Sequence, residues 1–353
     1  MSKKKLIIII LISVIIISII VLLIYSFKLY HPKNDSAFYI PKNEISSIQK
    51  NVQVSIYRYE KDLFSADITN LPTEIEKLSH HYPEILIAKE VWNDPEMVEQ
   101  LQLYLQDPII QGIFKETQQV IPNVDLFQNQ LSVALIRYLY YFPDATIPVF
   151  YTLIPGIDIN TPSVYGFDND VFINIDMYLG ENYKLYGQYG MPKYISERCN
   201  QRYLLIDCFK NVIVYRHLPE KSLSTLLDYM IFEGKKLYFT KMMLPDTLDR
   251  NIIGYNQDKF VWAEKNQQEV WNYIIEKGAL FSHHDKELKM YINETPYTKI
   301  FGNQSPGRLG TYIGWQIVKS YMEHNKDVTI QELLNNTNAD EILKLSKYKP
   351  IRR

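Results

Sequence analysis

Val149-Phe150-Tyr151-Thr152-Leu153-Ile154, stopped by Pro155-Gly156, is where the chain changes its period. β-Branched and aromatic residues dominate the run, and the Pro-Gly pair ends it, so it reads as a strand. Just beyond, Tyr165 to Phe167, the turn residues Asp168-Asn169-Asp170, and Val171 to Met177 read as a hairpin, with Ile173 and Ile175 alternating with Asn174 and Asp176. Upstream the pattern is helical. Asp94-Pro95-Glu96 supplies an acceptor cap, a proline for the first turn and an acid for the positive end; the helix should run to about Leu105. Asp107-Pro108 repeats the device, for a helix to about Val120. A third follows Pro122-Asn123, with Phe127, Leu131, Ala134, Leu135, Tyr138 and Phe142 at helical spacing and Pro143 as its stop. From about Glu197 the pattern is helical again. Helices, a small antiparallel sheet, then helices predict an α+β fold. Val52, Val54 and Ile56 alternate with polar neighbours and predict one more strand; nothing marks a boundary inside 52–353, which reads as one domain.

A chain of 353 residues can bury a sizeable core. Lys+Arg 38 against Asp+Glu 40, net −2, argues against a dedicated nucleic-acid binder. Only 2 Cys exclude a disulfide-stapled scaffold and a cysteine-rich zinc site. At the start, Lys3, Lys4 and Lys5 precede an uncharged run from Leu6 to Tyr25, broken only by Ser13 and Ser18. About 20 apolar residues at about 1.5 Å each cover about 30 Å, one hydrocarbon core. The run exceeds a cleavable signal, bulky Tyr25, Phe27, Leu29 and Tyr30 follow it, and no Cys lies near its end. Residues 1–27 therefore read as an uncleaved membrane anchor and 28–51 as a polar stalk. The lysine bias places the large domain outside the cytoplasm.

No Gly-rich phosphate loop, nucleophile elbow or His-Glu-x-x-His pair is present. Adjacent His80 and His81 cannot face one metal. A helix from about Ser222 to Met242 carries Glu233-Gly234 beside an apolar face of Leu226, Met230 and Leu237. A carboxylate there needs a cation or donors to stay ionised. It could be a metal ligand or general base; a structural ion pair with an arginine is the favoured reading. His217 reads as a cap or surface group. Cys199 and Cys208, on one helix, would lie about 13 Å apart on opposite sides, so two buried thiols are expected unless the helix begins after Cys199. Near the end, Ser305 reads as a helix cap with Pro306 in the first turn, and Gly310 and Gly314 stand four apart. Each glycine costs roughly 1 kcal/mol against alanine, which predicts close approach of another backbone. Arg308, in a first turn where a cation opposes the dipole, is expected to pair with Glu233.

Five segments together resemble the gliding motility lipoprotein GldB family of Bacteroidetes: Ile175 to Gly180, Tyr186 to Tyr194, Phe232 to Tyr238, Leu244-Pro245-Asp246 and Ser305 to Met322. The likeness spans about residues 50–345. It implies a membrane-attached cell-envelope protein associated with the gliding machinery and its linked secretion system, and no known reaction. Family members usually carry a lipid on an N-terminal cysteine; here the apolar run 6–25 replaces it, which points to the inner membrane with the domain in the periplasm. The family is similar in turn to zincin-type zinc proteases. Glu233-Gly234 matches their second metal element, while the preceding helix, about Arg202 to Tyr215, offers Asp207, Cys208 and Asn211 where histidines should stand. The resemblance thus implies a mostly helical zincin-like scaffold without its catalytic centre: not an enzyme, with no cofactor or metal, acting by binding or stabilising other envelope proteins. Glu233, Gly234, Asp207 and Arg308 are the residues of the vestigial site. The alternatives are a hydrolase, either with an atypical metal site using Asp207, Glu233 and a distant histidine such as His283 or His284 or without metal, and a peptide or glycan binder using the Glu233 cleft.

Overall fold

The computed structural model describes residues 38–50, 52–82, 85 and 94–350. The anchor expected at 6–25 lies outside them, as does the start of the stalk. Within the described part of the stalk lies helix α1 (Lys42–Gln49). Residues 1–46 and 47–353 are separate compact units. Among the described residues no helix is long and apolar enough to cross a membrane.

In the larger unit β1 (Ile56–Tyr57) leads into α2 (Tyr59–Phe64), α3 (Leu71–His81), α4 (Pro95–Gln106), α5 (Pro108–Val120) and α6 (Asp125–Tyr141). The expected caps form: Asp94 Oδ1 accepts from the Glu96 N–H at 2.9 Å, and Asp107 Oδ1 from those of Ile109 and Ile110 at 2.7 and 3.1 Å. The strands β2 (Val149–Leu153), β3 (Val164–Phe167) and β4 (Asp170–Asn174) join β1 in the order β1-β2-β4-β3. The hairpin β3–β4 is antiparallel as expected, but β1–β2 and β2–β4 are parallel, so the sheet is mixed. Alternation of side chains fixes faces, not strand direction, and the chain crosses over between β2 and β3 before β4 returns beside β2. β4 also stops earlier than its alternation suggests. Residues Ile175–Tyr178 form a tight 3-10 turn in which all four side chains are buried.

One ring from each strand stacks across one face of the sheet. Tyr57–Tyr151, Tyr151–Phe172 and Phe172–Tyr165 have centroids 5.4, 5.4 and 5.3 Å apart with planes within 21° of parallel. Helices α2, α3 and α4 cover this ladder through Leu63, Leu71, Ile75 and Leu105. On the other face Phe127 of α6 meets Phe150 edge-on.

The rest is helical: α7 (Lys184–Gln188), α8 (Lys193–Ser196), α9 (Leu204–Asn211), α10 (Leu226–Met243), α11 (Asp249–Ile253), α12 (Gln257–Lys265), α13 (Gln267–Glu276), α14 (Asp285–Ile292), α15 (Leu309–His324), α16 (Ile330–Asn335) and α17 (Ala339–Ser346). The single helix expected over about 202–215 is α9 with short 3-10 turns at each end. Cys199 therefore lies outside the helix of Cys208; both thiols are free and buried. Thr225 and Asp228 form a reciprocal capping box that starts α10. α15 starts later than Ser305 suggests. The buried Ser305 hydroxyl instead bonds the carbonyls of Gly302 and Thr298 at 2.7 and 3.1 Å, closing the preceding turn.

α10 and α15 cross backbone to backbone, as the spaced glycines predict. A Cβ on Gly234 would lie 2.5 Å from the Gly314 carbonyl carbon and oxygen, and one on Gly314 would overlap the Met230 carbonyl. Gly310 serves a different neighbour: its Cβ would press Tyr291 and Ile292 of α14 at 3.0 Å.

Candidate functional site

The residues singled out in the sequence fall into two places. Glu233 and Gly234 belong to the α10–α15 crossing. Glu233 Oε1 sits 2.9 Å from Lys236 Nζ, three residues on, and that ammonium also donates to the Tyr215 hydroxyl at 2.9 Å. Burial works against the Lys236 charge, but Glu233 and Tyr215 outweigh it and hold the ammonium above its ordinary pKa. The expected ion pair exists, then, with a lysine one turn away. The expected partner, Arg308, is engaged elsewhere. The histidines of the hydrolase alternative are also apart: His283 Nδ1 bonds the Ser224 hydroxyl at 2.9 Å, and His284 precedes α14. Among the described residues no group of three or more His, Cys, Asp or Glu side chains could hold a metal ion.

Asp207 and Arg308 belong to a second place, a chain of charges ending at the surface. Asp207 on α9 pairs with Lys210 at 3.1 Å and accepts from the Tyr178 hydroxyl at 3.0 Å. Burial pulls the Lys210 pKa down, Asp207 opposes this, and the positive charges of Arg198 and Arg308 add to the lowering. Arg198 grips Glu294 with both terminal nitrogens, at 3.2 and 2.9 Å. Arg308 approaches the same carboxylate with Nε at 2.5 Å and donates from Nη2 to the Ile253 carbonyl. Burial tends to raise the Glu294 pKa, but Arg308, Arg198 and Lys210 prevail and hold it below the ordinary carboxylate range. A bidentate guanidinium on a carboxylate is among the stronger charge-assisted arrangements.

Backbone geometry makes this clamp possible. Arg308 is not in the first turn of α15 but at its N-cap, in the left-handed region at φ 54°. Gly254, φ 80°, ends α11 directly beneath both guanidinium groups; a Cβ there would stand 2.8 Å from Arg198 Cδ and 3.3 Å from Arg308 Nη2. The Tyr255 hydroxyl donates to the Gly307 carbonyl at 2.5 Å, and its ring lies 5.8 Å under the Arg308 guanidinium. The clamp faces a cavity of about 500 Å³ walled by Tyr194, Tyr255, Lys259, Tyr297 and Gly307. A second cavity of about 410 Å³ shares Lys193, Glu197, Gly254, Tyr255 and Asn256 with the first.

Lys210, Arg198 and Glu294 were not foreseen. Lys210 was within reach, because it follows Asp207 at the i,i+3 spacing of a helical ion pair. Arg198 and Glu294 lie in loops 96 residues apart, and no local signal joins them. His217 is not a surface cap. Its ring stacks on Phe142 at 3.9 Å and bonds the Tyr138 hydroxyl at 2.8 Å, and burial lowers its pKa to about 4. Asp176 is fully buried after β4, accepts from the Gly156 N–H at 3.0 Å, and is raised to about 7 by burial.

A family model described as gliding motility protein GldB matches residues 41–350. No curated protein and no solved structure matches the chain. The match takes in the strand ladder, the glycine crossing and the arginine clamp alike, and on it the chain belongs to the gliding motility protein GldB family.

Proposed function

We propose that this GldB-family protein is a non-catalytic component of the cell envelope, anchored by residues 6–25 with domain 52–353 in the periplasm. It works by binding or stabilising other envelope proteins of the gliding and secretion machinery. The family assignment supports the envelope setting. The observation that carries the non-catalytic reading is the pairing of both acids expected at a vestigial centre: Asp207 with Lys210, Glu233 with Lys236. A carboxylate compensated by a neighbouring ammonium is a weak general base and a poor metal ligand.

The test is co-purification of the full chain from membranes in mild detergent, with metal content measured on the same preparation. Recovery of other envelope proteins at constant ratio, with zinc well below one per chain, is the expected outcome. Stoichiometric zinc would restore the hydrolase alternative, and recovery of the chain alone would remove the binding role.

A further inference from the structure

We propose that the twin cavities beside the Arg198–Arg308 clamp bind an acidic peptide segment of a partner protein, and that Glu294 occupies part of this site as an internal stand-in. The inference rests on the binding role proposed above and names its surface and chemistry.

Charge is the first ground. Lys193, Arg198, Arg202, Arg250, Lys259 and Arg308 line the two cavities, against Glu181, Glu197 and Glu294. This cationic excess is local, because the whole chain carries net −2. A walled surface with an excess of one sign concentrates and steers ligands of the opposite sign.

An unused donor is the second. Arg250 donates from Nη1 to Gln257 at 2.9 Å, but its Nε is buried without a partner. That donor is spent on no internal acceptor, and the rest of the guanidinium lines the second cavity as a cation.

The third is the clamp itself. Two guanidinium groups already converge on a carboxylate, and that carboxylate stands at the mouth: the Glu294 side chain keeps 39% of its exposure. An incoming carboxylate meets donors aimed at its geometry. The left-handed Arg308 costs roughly 1–2 kcal/mol of backbone strain and gives no side-chain cap to α15 in return. Strain of this kind accumulates where a site must be held in shape.

Size and wall chemistry select a peptide over a small ion. Cavities of about 500 and 410 Å³ with shared walls far exceed one carboxylate. Tyr194, Tyr297, Pro192 and Pro296 add flat apolar surface beside the charges, suited to the body of a chain segment.

The experiment uses the full chain in mild detergent and a fluorescein-labelled peptide, Gly-Glu-Glu-Gly-Glu-Glu-Gly, read by anisotropy. Its glutamine counterpart should bind about tenfold or more weakly, since each lost charge-assisted contact is worth about one decade. Arg250→Gln should weaken the acidic peptide by about the same factor. Arg202→Gln, at an exposed position, should weaken it about threefold. Glu294→Gln should tighten binding several-fold while lowering stability, because it frees the clamp and unpairs two arginines. Equal binding of the two peptides, or a Glu294→Gln variant with unchanged or weaker affinity, overturns the proposal. So does binding to phosphatidylglycerol vesicles with none to the peptide, which would assign the cations to lipid. Envelope proteins still recovered by a chain that ignores the peptide would end this site and spare the binding role. Peptide binding with no protein recovered would do the reverse.

Discussion

The α10–α15 crossing and the arginine clamp are both built around glycines, yet they use them for opposite ends. At the crossing, Gly234 and Gly314 remove side chains so that two backbones touch, and the contact is apolar and fully buried. At the clamp, Gly254 removes a side chain so that two cations can lie against a backbone at the surface. The first arrangement is a dispersion contact with no room to adjust. The second is an electrostatic contact that solvent, salt and ligands can reach. Stability should therefore reside in the first and responsiveness in the second.

The sharpest way to break this contrast is Gly314→Ala. Its methyl group would overlap the Met230 carbonyl, a rigid backbone atom, so the helices must part. A loss of about 3 kcal/mol or more, or failure to fold, is expected in urea unfolding, at the upper end of overpacking costs. Gly187→Ala, with open space around its Cβ position, is the control and should change little. Next comes Arg308→Ala, which should cost about 1–2 kcal/mol, because Arg198 still holds Glu294 and the carboxylate is partly hydrated. Arg308→Gly should cost less than Arg308→Ala, since glycine relieves the positive φ. High salt should shrink the Arg308→Ala effect and leave that of Gly314→Ala unchanged.

Two acid effects sharpen the comparison further. Glu294 has a depressed pKa in the fold, so its contribution is complete above about 4.3 and is lost as pH falls through its folded value. Glu294→Gln should flatten that part of a stability–pH curve. His217 acts earlier. Its folded pKa of about 4 lies below the ordinary value near 6.5, so the unfolded chain takes up the proton first and stability declines between about 6.5 and 4. The imidazole packs against Phe142 and Phe239. His217→Phe should remove the decline in that window.

Much of this layout was legible in the residues. Asp94-Pro95 and Asp107-Pro108 announced their helices because capping is local chemistry. The spacing of Gly310 and Gly314 announced a close backbone, although it did not reveal that each glycine faces a different helix. The hairpin was legible and the parallel pairs were not, since β1 and β2 meet across more than 90 residues and direction leaves no mark on alternation. At the site, Arg308 stands out in the sequence and Asp207 only through the family resemblance, and Arg308 pairs with an acid other than the expected Glu233. Its true partner, Glu294, sits 14 residues before it, in a turn before Pro296, with nothing periodic to betray it.

The shortest strand has a mechanical consequence. β1 is two residues long and lies parallel to β2, and it is the first sheet element the chain reaches after its N-terminal segment. A load arriving along the chain from before residue 56 would meet the sheet at Ile56–Tyr57, held to β2 by a short run of backbone bonds and by the Tyr57 ring stacked on Tyr151. With only two paired residues, that joint has fewer backbone bonds to break under tension than the five-residue β2–β4 pairing behind it.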